Sequence, residues 1–278
     1  MDAMHELKLL IERPEDEIDL AQAALCIARL EYPELDVQAY LDRLNRLAAD
    51  LSDQLPADSS SADRLLALNQ FLFDEQGFSG NFDEYYDPRN SFLNEVLDRK
   101  LGIPITLSIL YLEIGHRIGL PLEGVSFPGH FLVKLPVDGG DIVLDPFAGG
   151  VSLSEEDLEN QLETLYGGQQ QAALSLGPLL SSADKREILL RVLRNLKGIY
   201  LGGRRLQKAL AVAEIILALA PDEPGEVRDR GMLFDQLECF RPALADYQHY
   251  LALDPEAQEA ESIRARIIEL RDAVEHLH

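Results

Sequence analysis

The chain has 278 residues, 46% of them apolar, enough to fill one large core or two ordinary ones. Its net charge is −24, and residues 1–180 carry most of it, with 11 Lys/Arg against 32 Asp/Glu, a field that repels a phosphate backbone and argues against nucleic-acid binding. Two unpaired cysteines, an acidic N-terminus and the lack of any apolar run near the roughly 18 residues of a membrane helix argue against secretion and insertion, so a cytoplasmic protein with no membrane partner is expected.

In chain order, DEIDLAQAALCIARLEYP, LDVQAYLDRLNRLAADL and SADRLLALNQFLF place apolar residues at three- and four-residue intervals and predict three helices. FSGNFDEYYDP is rich in Gly, Asn, Asp and Tyr without periodicity. Asp87-Pro88 then supplies a cap and a first-turn proline for a helix from about Pro88 to Arg99, ending at Gly102. A second helix starts at Pro104 and ends at Gly119-Leu120-Pro121. LEGVSF, HFLVKL and DIVLDPF read as strands, the last two as a hairpin across Asp-Gly-Gly, and SLSEEDLENQLETLY as a helix capped by Ser152 or Ser154.

The Gly167–Gln171 run reads as a linker, giving domains 1–170 and 182–278. Beyond it, ALAVAEIILALAP and ALADYQHYLALDP align at an offset of 34 residues, the tetratricopeptide period, and a closing helix follows from Glu261. Between Asp184 and Lys208, eight Lys/Arg face two Asp/Glu. That basic segment either docks internally or offers a landing surface to an acidic partner.

Chemistry concentrates on the hairpin. An even-length turn puts His130 and Asp145 on one sheet face, so the carboxylate could hold the ring tautomer that a general base needs; a histidine beside Pro-Gly also serves simply to satisfy a backbone carbonyl. His5, His116, His249, His276 and His278 show no metal-ligand spacing, and neither a P-loop nor GxGxxG occurs, so no cofactor or metal is expected.

The order GIP, helix, GLPLEGV, PGHF, strand, LDPF resembles the transglutaminase-like superfamily of papain-type cysteine enzymes, whose helix begins Gly-x-Cys and whose His and Asp lie on the following strands. The longer segment RNSFLNEVLDRKLGIPITLSILYLEIGHRIGLPLEGVSFPGHFLVKL, with IVLDPFAGG and the repeat tail, is similar to the bacterial SirB-type family over roughly residues 10 to 260. The resemblance carries over no activity. Matching Gly119-Leu120-Pro121 to the superfamily's Gly-Ile-Pro and counting back puts Pro104 at the nucleophile's position, while His130 and Asp145 match their counterparts. Ser108, one turn deeper on the Pro104 face, could act as a nucleophile or merely allow close packing; Thr106 points some 200° away, and Asn90 and Asn94 are candidates to face the cleft or to cap.

The expected fold is α+β: a papain/transglutaminase-like core with a small antiparallel sheet, then all-α tetratricopeptide-like repeats. Two functions fit. One is a non-catalytic binding or regulatory protein, its cleft holding a ligand at Pro104, Thr106, Asn90 and Asn94 and its repeats, or the cleft, engaging a protein or peptide. The other is a hydrolase or acyltransferase in which the His130–Asp145 dyad activates Ser108 or a water.

Overall fold

The computed structural model describes residues 3–167 and 175–276; beyond Gly167, the expected linker lies outside them. The chain divides into two compact units, residues 1–192 and 193–278.

The first unit opens with α1 (Ala3–Ile11), α2 (Leu20–Ala28), α3 (Val37–Ser52) and α4 (Ser61–Asn69). The last three are the expected helices, each started by a side-chain cap: Asp19 accepts from Gln22 N, Asp36 from Ala39 N, and Ser60 and Asp63 form a reciprocal capping box. α1 was not anticipated, because its stripe is short; Leu7, Leu10 and Ile11 are nonetheless buried.

The helix expected over 88–99 is in fact broken. A 3₁₀ turn (Pro88–Ser91) precedes α5 (Leu93–Arg99), and between them Phe92 is extended at φ −105°, which buries its ring. Lys100, left-handed at φ 63°, ends α5 two residues before the expected glycine, and Leu101–Gly102 pairs in parallel with Ser79–Gly80. α6 (Pro104–Arg117) starts and stops as expected, with Gly119 at φ +81°. Every residue from Pro104 to Gly115 is buried, so α6 is the central helix of this unit, packed between α2–α5 and the sheet.

The three expected strands are β1 (Glu123–Val125), β2 (Leu132–Val137) and β3 (Gly140–Asp145), the last two forming the hairpin. Two short strands that alternation could not reveal, β4 (Val151–Leu153) and β5 (Ser182–Ala183), complete an antiparallel sheet in the order β4-β3-β2-β1-β5. One face is covered by α7 (Glu155–Tyr166), whose Leu158 and Leu162 meet Val125, Phe127, Leu132 and Val143. A Ser154–Asp157 capping box starts α7.

α8 (Lys185–Gly202) follows. In the first unit, Lys185 donates from its ammonium to the Ile18 carbonyl at 2.6 Å, and Arg186 pairs with Glu15 at 3.2 Å. In the second unit, Arg194 and Lys197 meet Glu226, Lys197 at 2.5 Å, and Lys197 also meets Asp229 at 2.6 Å. Of the Asp184–Lys208 segment, Arg186, Arg194 and Lys197 are therefore paired with carboxylates within the unit to which each belongs, and Lys185 is hydrogen-bonded to a carbonyl.

The second unit continues with α9 (Leu206–Leu219), α10 (Pro224–Gln236), α11 (Phe240–Leu253) and α12 (Ala260–His276). α9 and α11 begin 34 residues apart, and neighbouring helices pack on a core that includes Val227, Tyr247, Tyr250 and Ile267. Bidentate Arg230–Asp246 and Arg266–Asp235 pairs tie α10 to α11 and α12. Among the described residues, no helix is long and apolar enough to cross a membrane.

Candidate functional site

His130 lies in the turn that feeds β2. Phe127-Pro128-Gly129-His130 has proline second, glycine third at φ +69°, and a 3.1 Å bond from His130 N to the Phe127 carbonyl, the signature of a type II turn. The hairpin register pairs Val133 with Leu144, which sets Asp145 opposite Leu132 and one diagonal from His130. The two side chains meet: Nε2 of His130 is 2.9 Å from Oδ1 of Asp145.

The contact is close but poorly directed. Nε2 is buried without an aligned hydrogen-bond partner. Asp145 Oδ1 already accepts Phe147 N at 2.9 Å and Ala148 N at 3.4 Å, capping the 3₁₀ turn Pro146–Ala148. The carboxylate therefore holds the β3 exit as well as facing the imidazole, and Nδ1 is the ring nitrogen it leaves unengaged.

Pro104 is buried at the first position of α6. Ser108 is fully buried, its hydroxyl 3.4 Å from the Phe131 carbonyl, to which it donates. Thr106 is buried too; its hydroxyl donates to the Asn90 carbonyl at 2.7 Å and accepts from Ile103 N at 3.1 Å, which closes the start of α6. Asn90 is turned fully inward, donating to the Glu84 and Tyr85 carbonyls and accepting from Asn81 at 3.0 Å. Asn94 and Ser91 are buried beside it, each with a side-chain oxygen that has no partner. Asn81, Asn90 and Thr106 thus brace the loop before α5 and the start of α6.

His130 borders an opening toward α7. A cleft of about 420 Å³ is lined by Pro128, Gly129 and His130 and by Asn160, Gln161, Thr164 and Leu165 of α7. None of those lining residues comes from α6. The α7 residues were missed in the sequence because their helix reads as an ordinary capped surface helix. Missed as well was an aromatic cluster at His130: Phe147 lies 6.0 Å from the imidazole and meets Phe82 at 4.4 Å and Tyr85 at 6.0 Å. Its only signal was the aromatic density of FSGNFDEYYDP.

Neither cysteine substitutes. Cys26 is fully buried, and burial, aided by Glu6, pushes its thiol up to about 12; Cys239 is exposed in the repeat unit, next to the start of α11. No group of three His, Cys, Asp or Glu that could hold a metal ion occurs among the described residues. The repeat unit carries its own cleft of about 370 Å³, bordered by Leu201, Arg228, Met232, Glu259 and Ile263.

The sequence matches known proteins in the same two parts. Residues 38–194 match the transglutaminase-like superfamily, and residues 196–267 a tetratricopeptide repeat. A UPF0162 protein of Xylella fastidiosa is 41% identical over 256 residues, 92% of this chain and 91% of its own length. A UPF0162 protein of Vibrio cholerae is 34% identical over 260 residues, 93% and 94% of the two chains. Protein SirB1 of Salmonella typhimurium is 32% identical over 240 residues, 86% and 87% of the two chains. On the helix, the His turn, the Asp strand and these matches, the chain belongs to the transglutaminase-like superfamily and, within it, to the SirB1 and UPF0162 family that joins such a core to tetratricopeptide repeats.

Proposed function

We propose that the protein binds and regulates rather than turns over a substrate: the cleft at His130 holds a ligand, and the repeat unit engages a protein partner. The observation that carries this reading is Pro104. It occupies the position matched to the superfamily's nucleophile, and its ring has neither a nucleophilic atom nor an N–H. The surroundings support it. Ser108 is buried against a carbonyl, the Thr106 hydroxyl donates to the Asn90 carbonyl, the Asn90 side chain is bonded to Asn81 and the Glu84 carbonyl, and Asp145 caps a turn.

A second reading has one observation in its favour, the 2.9 Å approach of His130 to Asp145, which would suit activation of a water. The test is an assay of the full chain against a library of amides and esters, with and without an amine acceptor. The expected result is no turnover beyond that of His130→Ala. A rate that disappears in His130→Ala overturns the binding reading and establishes a hydrolase or acyltransferase.

A further inference from the structure

Phe82 and Tyr86, 69% and 78% exposed, stand on one loop beside the dyad. They are held, not loose. Phe82 rests on Phe147, Tyr86 meets Tyr85 at 5.2 Å, and Phe147 reaches the His130 ring. The loop beneath them is braced: Asn81 accepts from Glu84 N at 3.0 Å, and Asn90 donates to the Glu84 carbonyl at 2.7 Å. Gly80 leaves room for Phe147, since a Cβ there would lie 2.6 Å from its ring. Large rings fixed in water are a ready contact surface, because their ordering is complete before any ligand arrives.

The charge around these rings is mainly negative: the exposed Arg89 beside them is paired with Asp87 at 2.6 Å. Asp83 and Glu84 are exposed between them, and α7, on the other side of His130, presents Glu155, Glu156 and Glu163 and contains no Lys or Arg. A guanidinium is already accommodated at the inner edge, where Arg191 donates to the His130 carbonyl at 3.3 Å. Anionic lipid, nucleic acid and acidic protein are all disfavoured by this field, whereas a cation gains both from the carboxylates and from the ring faces.

We propose that the Phe82–Tyr86 face binds a basic peptide segment of a partner protein, its Arg or Lys side chains lying over the two exposed rings with Asp83 and Glu84 as counter-charges. The proposal rests on the binding reading above and names its ligand class. Calorimetric titration of the full chain with a nonapeptide of alternating Arg and Gly, and with its Gln-for-Arg and Glu-for-Arg counterparts, tests it. Only the Arg peptide is expected to bind, more weakly as salt is raised. Replacing both rings (Phe82→Ala with Tyr86→Ala) should weaken it about tenfold, with the unfolding midpoint retained because both rings are exposed.

Absence of binding, equal binding of the Gln peptide, or unchanged affinity in the double variant overturns the proposal. These outcomes are separate from turnover. A His130-dependent rate would remove the binding-only function while leaving the peptide result standing, and absence of peptide binding would not by itself restore catalysis.

Discussion

Asp145 shows how one side chain can serve two ends. Its Oδ1 faces the His130 imidazole and also accepts two backbone N–H groups that start the turn after β3. The capping role predicts a sharp difference between two substitutions. Asp145→Ala leaves those N–H groups without an acceptor in a buried place and should lower stability by about 1–3 kcal/mol, whereas Asp145→Asn keeps an oxygen for the cap and should cost less than about 1 kcal/mol. Urea unfolding of the two variants measures the difference; equal losses would mean that the charge facing His130, not the cap, is what stabilises. At this scale the His–Asp proximity was legible in the sequence, since turn parity and strand alternation fix which side chains share a face. The inward turn of Asn90 was not, because it depends on Asn81 and the Glu84 and Tyr85 carbonyls, groups that no local pattern assigns to it.

Among the elements, two glycines in the repeat helices make opposite predictions. Gly231 of α10 lies where a Cβ would meet the Tyr247 ring at 2.9 Å and Asp246 Cβ at 3.2 Å, so Gly231→Ala should lose about 1–3 kcal/mol through overpacking. Gly198 of α8 has nothing within 4 Å of such a Cβ, and Gly198→Ala should gain about 0.5–1 kcal/mol from helix propensity. Thermal unfolding followed by circular dichroism should move in opposite directions for the two; the same sign in both would show that Tyr247 yields to a Cβ at Gly231 without cost. The 34-residue offset was legible in the sequence because repeats impose a fixed spacing. The break at Phe92 escaped the sequence, for burial of its ring overrode the continuous helical stretch expected from Pro88.

For the whole molecule the dominant quantity is the net charge of −24. Like charges at this density oppose the compact state, and dissolved salt screens them. Raising sodium chloride from about 20 to about 500 mM should therefore raise the unfolding midpoint, although individual pairs such as Arg43–Asp98 are weakened at the same time. A midpoint that falls with salt would show that paired charges outweigh the general repulsion. The buried Lys197, held between Glu226 and Asp229, is shielded from solvent and should contribute little to that salt dependence.

The sequence by itself determined the core-plus-repeat plan, the start and stop of α6, the hairpin with its His and Asp, and the tetratricopeptide spacing. All of these rest on local rules: capping, turn chemistry, periodicity and motif order act between residues close in the chain. Tertiary structure alone decided the rest. It turned Asn90 and Thr106 into an internal brace, placed the cleft between the His130 turn and α7, and gathered Phe82, Tyr85, Tyr86 and Phe147 around His130. Those contacts join residues from 16 to some 65 positions apart, and what brings them together is burial of a shared core, which acts on volume and surface without regard to chain order.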